Sequence, residues 1–314
     1  MGSADVVPGV SGGTIAFITG IYEQLIASIN AIDGTSIKFL FTGKWVQLAQ
    51  RIHLQFLIPL VTGIVAAILS LARLIEFLLQ NYQEGLWGFF FGLILASAWM
   101  IRKQVGSWRS ARVLAALAGG VLVAYSIVSM GFLKTPDTLP YIFGSGFIAI
   151  VAMILPGISG SFILLILDKY SYVIGLVSGL SDHLPHFVSA VASGNTDKAM
   201  LVLSEMHLLV ILTFVIGCVI GLLFFAKILN WLLKHFYDIT MALLTGFLLG
   251  SLYKVWPWKQ TITWHMNRHG EKEPLLQENI LPQTFDAYFF MVVILAILGF
   301  AIVFLVDRFA NERA

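Results

Sequence analysis

Six apolar stretches, at about 56–80, 85–101, 111–133, 207–233, 238–256 and 286–306, are each long enough to cross the roughly 30 Å hydrocarbon layer as a helix. No other feature limits the fold so strongly. In hydrocarbon every backbone N–H and C=O must be paired inside the protein, which a helix achieves and an open strand does not. Composition agrees with lipid as the main solvent. The 314 residues are 58% hydrophobic and 11% charged, with a mean hydropathy of +0.88, where a soluble domain carries about a quarter charged residues. The chain therefore reads as an all-α membrane protein. A net charge of +2, with no basic run and no stacking motif, argues against nucleic acid as a partner. The single cysteine, Cys218, makes no internal disulfide and reads as a small buried hydrophobe. Met1 to Pro8 contain no basic run and no long apolar run, so no cleavable signal peptide is expected.

Two further apolar regions, 6–32 and 141–180, are interrupted by Pro-Gly and by clustered Ser and Gly. Such an interruption frees backbone groups and survives only when buried in protein or lining a wet cavity. Each region is read as a re-entrant hairpin of two short half-helices. The two are related to each other. Pro8-Gly9-Val10-Ser11-Gly12-Gly13-Thr14 matches Pro156-Gly157-Ile158-Ser159-Gly160-Ser161-Phe162 at an offset of 148, and the match continues through Tyr22 with Tyr170 and Ile26 with Ile174. Gly63, Arg73, Tyr82, Gly92 and Ser97 then align with Gly217, Lys227, Phe236, Gly246 and Ser251 at an offset of 154.

A signature of this length followed by a collinear helix pattern marks an internal duplication. The first repeat is 1–135, with hairpin 6–32 and three helices; the second is 136–314, with hairpin 141–180 and three helices. A hairpin returns to its own side and three crossings do not, so the second repeat is expected upside down. Two inverted repeats with broken helices in corresponding places are the plan of secondary transporters. Ten Lys and Arg residues fall in the loops of one side and six on the other, where acidic residues dilute them. The richer side, holding both termini, is expected to be cytoplasmic.

Candidate chemistry concentrates at the breaks. A Gly-Ser turn opening a half-helix presents unpaired N–H groups and the positive end of the helix dipole to an anion. Ser11, Gly12, Gly13 and Thr14, with Ser159, Gly160 and Ser161, are the expected anion-binding set. The alternative is that these small residues only let helices pack closely. Arg73 and Lys227 occupy equivalent positions inside apolar helices, where a cation is costly and marks function unless it snorkels to the interface. Arg73 also has Glu76 three residues on as a possible partner. Asp5, Glu23, Glu76 and Asp168 are candidates for carrying a coupling proton or sodium ion, against an interfacial anchoring role for Glu23 and for Asp168 with Lys169. His183 with His186, and His265 with His269, have helical spacing, but lack a third ligand and fall in polar segments read as loops, so no metal is expected. No nucleophile–base constellation or phosphate-loop signature is present, and no other cofactor is expected.

The run from Asp5 through Glu23, DVVPGVSGGTIAFITGIYE, resembles the opening signature of the PopT family of bacterial polyprenyl-phosphate transporters. Pro156-Gly157-Ile158-Ser159-Gly160-Ser161 fits the second signature, and the resemblance extends over essentially the whole chain. It implies translocation of undecaprenyl phosphate, the lipid carrier of cell-envelope glycan synthesis, back toward the cytoplasmic leaflet. The family motif carries over onto 5–14 and 156–161 only. One departure stands out. The second Pro-Gly follows a leading half-helix, 141–155, whereas seven residues precede Pro8, so the amino end reads as short for the family.

Flipping such a lipid leaves its tail in hydrocarbon, and the barrier is the charged head. Hairpin tips near the midplane, flanked by Arg73 and Lys227, would supply donors and charge while the repeats alternate access. Two other readings remain: an ion-coupled transporter of a small soluble anion, and a membrane-embedded lipid phosphatase or transferase. The expected partners are the polyprenyl-phosphate lipid and the bilayer; the sequence leaves the oligomeric state open.

Overall fold

Where the sequence is continuously apolar the chain forms long helices, and left-handed residues at Gly20, Gly43, His53, Asp168, Gly194 and His207 separate helices along the chain. A computed structural model describes residues 1–5, 11–131, 133–266, 272–282 and 284–311. In chain order the helices are α1 (Gly2–Asp5), α2 (Gly12–Ile18), α3 (Tyr22–Asn30), α4 (Gly34–Phe41), α5 (Trp45–Arg51), α6 (Leu54–Asn81), α7 (Gln83–Ile101) and α8 (Ala111–Ser129). They continue as α9 (Leu139–Ile154), α10 (Gly160–Ile166), α11 (Tyr170–Ala192), α12 (Thr196–Glu205), α13 (Leu208–His235), α14 (Tyr237–Ser251) and, last, α15 (Ala287–Asn311). Among the described residues five helices are long and apolar enough to cross a membrane, and the bent pair α10–α11 makes a sixth candidate. The chain is a predominantly helical, multi-pass membrane protein.

Three details differ from expectation. Residues 257–285, read as loop, contain an antiparallel hairpin of β1 (Lys259–Met266) and β2 (Lys272–Asn279), pairing Lys259 with Asn279. The stretch 238–256 stops being helical at Ser251, where the chain tightens into turns ahead of Pro257. Each region after a Pro-Gly is broken a second time, between α2 and α3 and between α10 and α11. The second of these breaks turns the chain by 114°.

Backbone conformation repeats with the sequence. Gly20 (φ 73°) and Asp168 (φ 57°) end α2 and α10 and lie 148 residues apart. His53 (φ 52°) and His207 (φ 47°) precede α6 and α13 and lie 154 apart. Gly43 and Gly194, at φ 70° and 69°, fall between these offsets, where the drift from one to the other takes place. Non-glycine residues seldom adopt the left-handed region, so chance does not account for these pairs. Tyr82 and Phe236, an aligned pair, join α6 to α7 and α13 to α14 through the same bend, with φ −137° in both and ψ 42° and 50°.

The chain forms two compact units. One comprises Met1–Gly131, Met153–Ser159 and Ala226–Ala314; the other Phe132–Ala152 and Gly160–Phe225. In the first, α7 crosses α15 and α8 crosses α14. A Cβ on Gly92 would stand 1.8 Å from the Ala296 carbonyl oxygen, and one on Gly246 would stand 2.3 Å from that of Leu117. These aligned glycines therefore bring backbones into contact, the route by which helices associate without a hydrophobic drive. Leu93, Ala96 and Val303 form a buried cluster between α7 and α15. None of α6 residues 54–71 is buried, leaving Ile58, Val61, Val65 and Leu69 for lipid.

In the second unit, α9 lies against α13, with Gly217 meeting the Phe143 backbone and Gly146 that of Phe214. Lys169, 1% exposed, donates to the Thr135 carbonyl and pairs with Asp137 at 2.6 Å. Leu133 N–H donates to the Ile166 carbonyl and Thr135 Oγ1 to that of Leu167. This ties the start of the unit to the end of α10.

Candidate functional site

The break motif of the first repeat, from Ser11 to Thr14, lies against the segment 153–157 of the second, both in the first unit. Ser11 caps α2: its Oγ accepts from Gly13 N–H at 3.1 Å and donates to the Met153 carbonyl at 2.9 Å. Thr14 Oγ1 accepts from Gly157 N–H at 2.9 Å, and the Tyr22 hydroxyl donates to the Ile154 carbonyl at 3.1 Å. Ser11, Thr14 and Tyr22 are each at most 2% exposed. Carbonyls Met153 and Ile154 end α9, so the side chains of one motif answer the backbone groups that the other break sets free.

Gly157 sits at φ 89°, and a Cβ there would meet Ser251 Oγ at 2.6 Å. Both the backbone and the space require glycine. Gly12 N–H donates to Asp5 Oδ1 at 2.7 Å. The amide expected to meet a phosphate is thus occupied by a carboxylate, whose oxygens stand where an anion's would. Pro8 to Val10 lie outside the described residues.

A family described as undecaprenyl phosphate translocase-like matches residues 1–273. The chain belongs to this family. It is 40% identical to a polyprenyl-phosphate transporter of Vibrio cholerae, over 99% of this chain and 94% of that one. It is 31% identical to a polyprenyl-phosphate transporter of Staphylococcus aureus, over 82% and 83% of the two chains. No solved structure matches.

Within this member of the family, Ser159 is 5% exposed and ends the 153–159 segment, while Gly160 and Ser161 open α10 in the second unit. Arg73 and Lys227 are exposed on α6 and α13. Each lies eight residues before its helix end, about 12 Å along the axis. Among the described residues neither forms an ion pair with the break motif. The side chain of Glu76 lies outside the described residues. Glu23 accepts from the Tyr237 hydroxyl at 3.0 Å, which fastens α3 to the start of α14. Asp168 is exposed at the left-handed turn before Lys169.

His183 and His186 lie on α11 and His265 on β1, not in loops; His269 is outside the described residues. The residue types that matter were visible in the sequence; Met153, Ile154 and Gly157 as their backbone partners were not. A Tyr22 aligned with Tyr170 was the one available pointer to the buried hydroxyl.

Proposed function

We propose that this protein carries polyprenyl phosphate, in bacteria undecaprenyl phosphate, across the inner membrane toward the cytoplasmic leaflet for reuse in envelope glycan synthesis. The observation that carries the reading is the buried polar junction of the two break motifs inside a helical membrane protein of this family. Recurrence of left-handed residues at the repeat offsets supports two inverted repeats, each with a re-entrant segment, working by alternating access.

On this reading the phosphate is held by Ser11, Gly12, Gly13 and Thr14 in one repeat and by Ser159, Gly160 and Ser161 in the other. Asp5 holds the Gly12 amide until its protonation yields that donor to the phosphate, which makes a proton the coupling ion. Arg73 and Lys227 offset the charge of the head along its path. The chain acts as a translocase and not as a catalyst. The apolar grooves of the first unit favour a lipid over a soluble anion.

Reconstitution tests this directly. Vesicles containing the protein should move polyprenyl phosphate from the inner leaflet into reach of an added phosphatase faster than protein-free vesicles do. Equal rates would sink the reading. Gly12→Ala places a Cβ 2.4 Å from Asp5 Oδ2 and should slow transport more than Ser11→Ala, since the hydroxyl is one donor among several.

A further inference from the structure

Where α7 ends, the chain turns at Arg102 and runs to the start of α8. Residues 102–112 of this stretch include Arg102, Lys103, Arg109 and Arg112 and no acid. One of these cations is held in place. The Arg102 guanidinium carbon stands 3.6 Å from the centre of the Trp99 ring, and the Trp108 indole N–H donates to the Arg102 carbonyl at 2.7 Å. Gly106 N–H donates to Asp238 Oδ1 at 3.1 Å, which fastens the same turn to the start of α14. Stacking engages the face of a guanidinium and leaves the N–H donors at its edge available to a phosphate. Among the described residues Arg102 forms no ion pair.

Arg102, Trp99 and Trp108 line the polar end of an apolar groove of about 430 Å³, whose walls include Leu95, Leu249 and Phe300. Arg102 is the one charged residue among those lining it. Leu95 and Phe300 also line a second apolar groove, of about 310 Å³, which continues past Phe91. The two follow one helix in series. From Phe91 to Arg102 is about 16 Å along the axis, the depth of one leaflet of hydrocarbon. Leu95, Trp99 and Ile297 are 39%, 48% and 62% exposed, so the track opens sideways. Tryptophan and basic residues at its polar end match the level of lipid head groups. A track one leaflet deep, with a stacked guanidinium at the head-group level, fits an anionic lipid with a single extended tail. A phospholipid brings two chains side by side.

We propose that Arg102, carried on Trp99, holds the phosphate of a polyprenyl phosphate standing in the leaflet at that end, with its head-proximal isoprene units in the groove along α7. This rests on the transport reading and adds to it a station where the lipid is handed to the cytoplasmic leaflet, apart from the break motifs. Lys103, Arg109 and Arg112 do not line the groove; they draw anionic head groups toward that end of the protein.

The test is photo-crosslinking of the full chain in detergent by a polyprenyl phosphate with a diazirine on its head-proximal isoprene units, beside the corresponding polyprenol probe. In wild type the phosphate probe should label residues 95–102 and 245–249, and excess phosphatidylglycerol should not displace it. Arg102→Gln should lower that labelling by about tenfold or more and leave polyprenol labelling unchanged. Arg102→Lys keeps the charge without the planar fork and should fall between. Arg102 is exposed, so both variants should melt as wild type. Leu95→Trp, at a residue lining both grooves, should weaken labelling by both probes. Undiminished labelling in Arg102→Gln overturns the inference, and so does displacement by phosphatidylglycerol, which would assign the groove to bulk lipid. Labelling confined to the break motifs, in a protein that transports, overturns this inference alone. A wild-type protein that neither takes up label nor moves polyprenyl phosphate overturns the transport reading instead.

Discussion

Thr14 and Gly157 show what a membrane break demands of single residues. The Gly157 amide lies inside the protein with the Thr14 hydroxyl as its acceptor. Thr14→Val keeps the shape and removes that acceptor, leaving a buried N–H unpaired at a cost of about 1–3 kcal/mol. Thr14→Ser retains the oxygen and should sit close to wild type. Melting in detergent reads the difference; equal melting temperatures for Val and Ser would mean that the amide finds another acceptor. Gly13→Ala is expected to behave differently from Gly12→Ala. Its Cβ would stand 2.7 Å from the Ile154 carbonyl, which is backbone, whereas that of Gly12 meets the movable end of Asp5. Gly13→Ala should therefore cost stability, about 1–3 kcal/mol, and Gly12→Ala mainly transport.

Among the elements, the aligned crossings of α7 on α15 and α8 on α14 invite a paired measurement. Gly92→Ala and Gly246→Ala should both lower the melting temperature, Gly92→Ala more, since its Cβ would come closer to the opposing carbonyl. A stable Gly92→Ala variant would show that the helices separate at little cost. Helices of this kind were legible in the sequence because an apolar run of the right length has one solution in lipid. The breaks were legible because Pro-Gly cannot continue a helix.

The β-hairpin was not, although Thr261, Ile262 and Thr263 are strand formers. Its second strand, Lys272–Asn279, is mostly polar and carries Pro274, so it does not read as a strand. The second break in each repeat was missed for a related reason. Gly20 announces a left-handed turn, but Asp168 does so only once its backbone is seen.

For the whole molecule, opposite insertion of the two repeats is open to labelling. Single cysteines at Thr42 and Asn195, beside the equivalent turns at Gly43 and Gly194, should react from opposite faces of the membrane in a Cys218→Ala background. Reaction from one face would rule out the inverted plan. The crossings carry a further meaning. By the aligned sequence α7 corresponds to α14, and by order in each half α8 corresponds to α15, so the second long helix of each half is mated to the third of the other half. Neither half holds both sides of its own contact. A gene encoding one half would yield a subunit whose interface is completed only by a copy of itself, and fusion of two such genes would leave the seam where it was. Polypeptides 1–135 and 136–314 made together should then recover each other from the membrane, while either made alone should be degraded.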